Sequence, residues 1–174
     1  MALLPIRIYG DPILRRKSAP VTQVDDRIRE LAHDMIETLY DAPGVGLAAP
    51  QVGVSIRMLV ADATRQDGGD GPRVFINPEI LESWDEWEYD EGCLSVPGVS
   101  AEIIRPEAIR VRFQDEQGRP REEEFHRLWS RVLQHEIDHL DGKLFVDYLS
   151  PMRRALVLKK LRELARESKA RMSL

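Results

Sequence analysis

The chain has 174 residues, of which 43% are hydrophobic and 32% charged, and its net charge is −5. This length suits one domain with a sizeable core, and the composition is that of a soluble, globular protein. No apolar run approaches the ~20 residues needed to cross a bilayer, and the start has no basic leader, so we expect a cytoplasmic protein without membrane contact.

The first predicted helix covers residues 25–41, where apolar residues recur at steps of three and four. Strand-like patterns follow in four stretches, residues 55–62, 74–80, 108–114 and 121–126, of which the last two predict a hairpin. A second helix is predicted around "QHEIDH", and a third begins at Ser150 and Pro151, which match the N-cap and first-turn preferences.

This order of elements predicts an α+β fold in a single domain of residues 1–174. Antiparallel or mixed strands would pack around the central histidine-bearing helix, with an N-terminal and a C-terminal helix. The C-terminal part of this domain, residues 151–174, has eight Lys and Arg against two Glu. Such a basic segment can mark a surface for an acidic partner, and a solvated helix face is the alternative.

The stretch "QHEIDH" (134–139) has the H-E-x-x-H pattern, which places His135 and His139 on one helical face with Glu136 beside them. Leu128 and Val132 precede the histidines on the same stripe. Another sector of this helix contains Arg127, Arg131, Gln134 and Asp138. The pattern is typical of a metal site, and two hydrogen-bonded core histidines are the alternative.

A third ligand is not found downstream, because Phe145 and Lys159 stand where zinc peptidase patterns need a histidine or a glutamate. The remaining soft ligand is the only cysteine, Cys93, in "EGCLSVPG". A thiolate and two imidazoles suit Zn²⁺ or Fe²⁺ and leave a position for water. His126 as a fourth ligand would close the site and leave Glu136 without a role.

The stretch "GVGLAAPQ" (44–51) fits the loose dinucleotide pattern G-x-G-x-x-A. We reject that interpretation, because the stretch follows a helix and runs into Pro50 instead of opening a helix. Its glycines would let the backbone approach a ligand, with the Gln51 amide nearby. A tight turn with a polar surface residue is the alternative.

Together, "GVGLAAPQ", "EGCLSVP" and "QHEIDH" resemble the peptide deformylase family in order and spacing, and so do "YGDPILR" (9–15) and "INPEI" (76–80). The resemblance covers nearly the whole chain. It implies a hydrolase that removes the N-formyl group from the starting methionine of newly synthesised polypeptides and releases formate.

The resemblance also implies roles for individual residues. The metal would be held by Cys93, His135 and His139. Glu136 would be the general acid/base acting on a metal-bound water, and Gln51 and the backbone N–H of Leu94 would stabilise the oxyanion. The metal implied physiologically is Fe²⁺, and Zn²⁺, Ni²⁺ or Co²⁺ could occupy the same site.

The methionine pocket is predicted less directly. Val45, Leu128 and Val132 would line it, and the segments near Gly46 and Gly92 would pair with the peptide as an added strand. Ordinary core packing is the alternative for Leu128 and Val132.

Two positions depart from the family pattern, Trp129 in "RLWS" and Ser100 in place of an arginine. Trp129 would either reshape the rim of the pocket or fill core. Two other functions stay open: a metallopeptidase, and a non-enzymatic metal or ribosome-binding module. A ribosome contact through the basic C-terminal segment is a separate hypothesis, and no DNA partner is expected.

Overall fold

The computed structural model describes residues 2–173, in which three α-helices and seven β-strands are present. The helices are α1 (Asp26–Asp41), α2 (Arg127–Leu140) and α3 (Pro151–Met172). The strands are β1 (Gly46–Ala48), β2 (Met58–Ala61), β3 (Arg73–Trp84), β4 (Trp87–Gly92), β5 (Ser100–Arg105), β6 (Ala108–Gln114) and β7 (Pro120–His126). Among these residues no helix is both long and apolar enough to cross a membrane.

Five strands form an antiparallel sheet in the order β1-β2-β3-β6-β7, and β4 and β5 form a separate antiparallel hairpin. The predicted β6–β7 hairpin is present, with pairs running from Ala108 opposite His126 to Gln114 opposite Pro120. The predicted α+β fold with antiparallel strands and three helices is therefore confirmed.

The helix ends follow from local sequence. The Asp25 side chain accepts a hydrogen bond from the Ile28 amide and caps α1, while Ser150 caps α3 by accepting from the Arg153 amide. Both caps satisfy amides that lack partners inside the helix. Helix α3 then continues to Met172 and buries Leu161 and Leu164 in an apolar cluster that also contains Phe145 and Val146.

Helix α2 packs against an apolar cluster that it shares with the five-stranded sheet. Leu133 and Leu140 are fully buried on the sheet side, where the cluster includes Phe75 and Phe125. Trp129 packs there too, with its ring 6.2 Å from Phe75 and 6.1 Å from Phe125. Trp129 therefore fills core, one of the two roles considered for it.

The structure also contains strands that the sequence patterns did not indicate. The stretch "GVGLAAPQ" contains β1 at the edge of the main sheet, and the hairpin β4–β5 was not predicted. In β4 the buried side chain is the charged Glu91, and in β5 the buried residues are Ile103 and Arg105. The usual alternation of apolar and polar residues is therefore missing from these two strands.

Candidate metal centre and active site

Cys93, His135 and His139 come together, with one ligand atom from each within 4.8 Å of the others. Within residues 2–173 this is the one group of three or more such side chains placed to hold a metal ion. Cys93 directly follows β4, and both histidines project from α2. The Cys93 sulfur lies 3.3 Å from His139 Nε2. His126 is not part of the group, since its side chain is 57% exposed beside Glu124.

The chemistry of these residues fits a divalent metal. Burial and the charge of His135 lower the pKa of His139 well below its ordinary value, which keeps the ring in the neutral form that binds metals. His135 Nδ1 donates a hydrogen bond to Glu91 Oε1 at 2.9 Å, which leaves Nε2 as its ligand atom. The three residues thus offer a thiolate and two imidazoles, a set that suits Zn²⁺ and Fe²⁺.

Glu91 supports this centre and was not singled out from the sequence. Burial would raise its pKa, but hydrogen bonds from His135 and Arg105 outweigh that effect and lower the pKa to about 2. Glu91 is therefore an anion that can fix the orientation of the His135 ring. It belongs to the stretch "EGC", but its role depends on contacts across 44 residues of sequence.

Glu136 is buried at the edge of the same centre. Its Oε1 lies 3.9 Å from His139 Nε2 and has no hydrogen-bond partner in the described part of the chain. Burial raises the pKa of Glu136 to about 7, although the charge of His135 opposes the rise. A carboxyl group with a pKa near neutrality can both accept and return a proton, which suits general acid/base chemistry.

Gln51 is also buried, so the alternative of a polar surface residue in a tight turn is wrong. Its Oε1 accepts a hydrogen bond from the Ala48 amide at 2.8 Å. Its Nε2 donates to Ser95 Oγ at 3.0 Å and lies 3.6 Å from the Cys93 sulfur. Ser95 was missed in the sequence, although it stands two residues after Cys93 in the quoted motif. These contacts aim the Gln51 amide toward the metal ligands.

A cleft of about 660 Å³ opens onto these side chains. It is lined by all five residues predicted for the substrate pocket, Val45, Gly46, Gly92, Leu128 and Val132. Leu94, Tyr89 and Arg131 line it as well. Glycine at position 46 leaves room for these side chains, because a Cβ atom there would lie 2.9 Å from Glu136 Oε2 and 2.8 Å from Val132 Cγ1 and one of them would have to shift.

A thiolate and two histidines beside a buried carboxylate, at the inner end of a cleft, define the class of metal-dependent hydrolases. The sequence model of the polypeptide deformylase family matches residues 3–155. The chain therefore belongs to the polypeptide deformylase family, as the sequence motifs implied. The family's reaction is the metal-dependent removal of the N-formyl group from newly synthesised polypeptides.

Individual relatives agree with this assignment. The chain is 50% identical to a peptide deformylase of Mesorhizobium japonicum over 168 residues, or 96% of each chain. It is 53% identical to one of Alkalilimnicola ehrlichii over 169 residues, covering 97% of this chain and 94% of the relative.

Solved structures are similar in the same way. A peptide deformylase of Legionella pneumophila superposes with a TM-score of 0.87 at 44% identity, covering 96% of this chain and 98% of the other. A plant peptide deformylase gives a TM-score of 0.92 at 34% identity, with coverage of 98% and 94%.

Proposed function

We propose that this chain hydrolyses the formyl group of N-formylmethionyl nascent peptides at a single divalent metal held by Cys93, His135 and His139. The observation that supports this most is the position of Glu136 on the wall of the cleft beside the ligand group, where the buried Oε1 of its carboxylate has no hydrogen-bond partner within residues 2–173. Burying a carboxylate there costs free energy, so a catalytic role accounts for it better than packing does.

Fe²⁺ is the metal we propose for the protein in the cell, by resemblance to the family. Zn²⁺, Ni²⁺ or Co²⁺ would fit the same thiolate and imidazole ligands in purified protein. When bound, the metal acts as a Lewis acid that can lower the pKa of a water molecule to ~7 and so provide a nucleophile at neutral pH.

The residues of the chain supply the remaining chemistry. Glu136, with a pKa of about 7, would take a proton from the attacking water and hand it to the amine that leaves. As the formyl carbon becomes tetrahedral, charge develops on its oxygen, and Gln51 Nε2 and the backbone N–H of Leu94 would donate hydrogen bonds to it. Losing one such donor typically reduces the rate by ~10²-fold or more.

The methionine side chain would lie against Val45, Leu128 and Val132, three apolar residues of the cleft wall. The peptide backbone would run between β1 and β4, which carry Gly46 and Gly92 on the two sides of the cleft. In the described part of the chain each of these strands pairs with a single neighbour, which leaves its other edge for an added strand.

Glu136→Gln tests the assigned role directly, because it keeps the size of the side chain and removes its ability to accept a proton. We expect turnover of a formyl-Met peptide to fall by at least ~10²-fold while one metal per chain is still bound. Glu124→Gln, an exposed change on β7, is the matched control and should leave both quantities unchanged. Turnover by Glu136→Gln at the wild-type rate would refute the role.

A peptidase function is the other candidate considered, and the same assay separates it. A peptidase would cleave internal bonds of an unformylated peptide, whereas our proposal expects formate alone, from the formylated peptide alone.

We place the protein in the cytoplasm, where newly synthesised chains begin, and treat residues 151–174 as part of one domain spanning residues 1–174.

The basic side of α3 suggests, as a separate proposal, contact with ribosomal RNA. Lys159, Arg162 and Arg166 are exposed, whereas Leu161 and Leu164 on the same helix are buried in the core. Changing the three cations to Glu should weaken ribosome binding and reduce its salt dependence, with the core left intact. Binding that is equal for this variant and the wild type at several salt concentrations would contradict the proposal.

A further inference from the structure

Arg131 lies on α2, one helical turn before His135, and its side chain is only 5% exposed. The sequence placed it in a polar sector together with residues that usually face water. Burying a guanidinium is unfavourable unless the group is paired and hydrogen-bonded. Its partners are therefore informative, and all of them belong to the hairpin β4–β5.

Arg131 reaches both strands of that hairpin. Its Nη1 donates to Glu91 Oε2 at 2.6 Å and to the Ile103 carbonyl at 2.8 Å. Its Nη2 donates to the Trp87 carbonyl, and the guanidinium lies 5.4 Å from the centre of the Trp87 ring. One side chain of α2 thus fixes the start of β4, its end and the middle of β5.

The contact with Glu91 completes the hydrogen bonds of that carboxylate. Oε2 accepts from Arg105 Nε and from Arg131 Nη1, each at 2.6 Å. Oε1 accepts from Arg105 Nη2 at 3.0 Å and is 2.9 Å from His135 Nδ1. A carboxylate has about four acceptor positions, so any rotation of Glu91 would break existing bonds.

Arg105 and Arg131 make different contributions. Arg105 belongs to β5 and reaches Asp138 of α2 at 2.8 Å, so it can hold Glu91 in place without Arg131. Arg131 connects α2 to two backbone carbonyls within the hairpin, those of Trp87 and Ile103, whereas Gln134 of α2 reaches the Pro106 carbonyl just after β5. Arg131 therefore fixes the position of the hairpin relative to α2, and it also helps to orient Glu91.

The position of the hairpin matters because the metal ligands come from both elements. Cys93 follows the last residue of β4, and His135 and His139 belong to α2. The hairpin is not part of the five-stranded sheet, so the sheet's hydrogen bonds do not fix it. Side-chain contacts between the hairpin and α2 therefore help to set the distance between the thiolate and the imidazoles, together with the hydrogen bonds that Ser95 receives from the Tyr9 amide and from Gln51.

We propose that Arg131 is a positioning residue of the metal centre, which holds the cysteine-bearing hairpin against the histidine-bearing helix. This inference rests on the proposed metal site. Partners behind metal ligands typically change metal affinity by 10- to 100-fold when they are removed. We expect the loss of Arg131 to appear mainly as faster release of the metal.

The test compares Arg131→Met, Arg131→Lys and the control Arg127→Gln. Methionine keeps length and apolar bulk without donors, and lysine keeps the charge without the planar fork. Arg127 is exposed and stacks on the Trp87 ring at 4.5 Å, so its loss affects the same hairpin from outside. Each protein is loaded with Co²⁺, whose absorption with a thiolate ligand reports the geometry, and release into excess chelator is timed.

We expect Arg131→Met to release Co²⁺ about 10- to 100-fold faster than the wild type, with a shifted absorption band. Arg131→Lys should be intermediate, and Arg127→Gln should match the wild type. Circular dichroism and thermal unfolding establish that each variant is folded, and Arg131→Lys serves as the test if Arg131→Met is not. A purely structural role would lower the melting temperature and leave the band at its wild-type position.

Wild-type release rates and an unchanged band in both Arg131 variants would overturn the inference while the metal centre stands. A different result is expected if the proposed metal site itself is wrong. In that case the wild type would show no thiolate band that Cys93→Ala removes, and the inference would fall together with the proposed site.

Discussion

Gly46→Ala is the change whose effect on catalysis can be worked out most directly from the structure. Gly46 lies on β1, directly across from the carboxylate of Glu136. A Cβ atom there would lie 2.8 Å from Val132 Cγ1 and 2.9 Å from both Cγ and Oε2 of Glu136. Ordinary contacts begin near 3.4 Å, so the carboxylate must move by about 0.5 Å.

That displacement sets the expected magnitude. Catalytic groups need to be placed within ~0.5 Å of their working position, and an error of ~1 Å can reduce the rate about 10²-fold. We therefore expect kcat for a formyl-Met peptide to fall between about 10- and 100-fold. Overpacking should also cost about 1–3 kcal/mol of unfolding free energy.

The assay measures kcat and KM for formate release at full metal loading, together with unfolding in urea. Gly92→Ala is the matched control, because it adds the same methyl group on the other side of the cleft, where the nearest atom, the Val99 carbonyl oxygen, is 3.8 Å away. Its kcat should equal that of the wild type, whatever happens to KM. A wild-type kcat for Gly46→Ala, or equal losses of kcat in both variants, would show that the added methyl group does not act by displacing Glu136.

Three further predictions concern other parts of the molecule. Ser95→Ala removes the acceptor that orients Gln51, so we expect kcat to fall about 10-fold at constant KM, and an unchanged kcat would contradict this. Burial would raise the pKa of Asp147, but its hydrogen bond with Arg15 lowers that pKa below the ordinary 3.8. The bond therefore stabilises the fold fully above pH 3.8, and this stabilisation is lost as the pH falls through the lowered pKa. The difference in unfolding free energy between the wild type and Asp147→Asn should therefore disappear in acid. A difference that stays constant with pH would exclude this contribution of Asp147. His126→Ala should retain its metal, as measured by elemental analysis, and its loss would indicate a four-ligand site.

The parts of the site that could be predicted from sequence are those fixed by local geometry. The four-residue step from His135 to His139 determines that both project from one face of α2, whatever the rest of the fold. Cys93 could be identified because the chain has no other cysteine and because its motif resembles the family. Helix α1 and strand β6 were predictable for a similar reason, since each buries apolar residues at regular steps.

The features that could not be predicted from the sequence depend on contacts between distant segments. Glu91 and Arg131 are ordinary charged residues in the sequence, and their importance comes from pairing with each other across 40 positions. The hairpin β4–β5 was missed for the same reason, because two of its buried residues, Glu91 and Arg105, are charged. Periodicity of apolar residues cannot indicate a strand whose inner face is an ion-pair network.

We expect formyl hydrolysis to take place at a metal held by Cys93, His135 and His139, and a metal titration of formate release is the sharpest test of this expectation. Metal-free protein is prepared without oxygen, because Fe²⁺ and a free thiolate are both oxidisable, and Fe²⁺ is added in steps to a fixed amount of chain with a formyl-Met peptide. We predict no formate release without metal. The rate of formate release should rise linearly with added Fe²⁺ and reach a plateau at one equivalent per chain. Two results would contradict this expectation: formate release that does not depend on added metal, or no formate release by protein that has bound one equivalent of Fe²⁺.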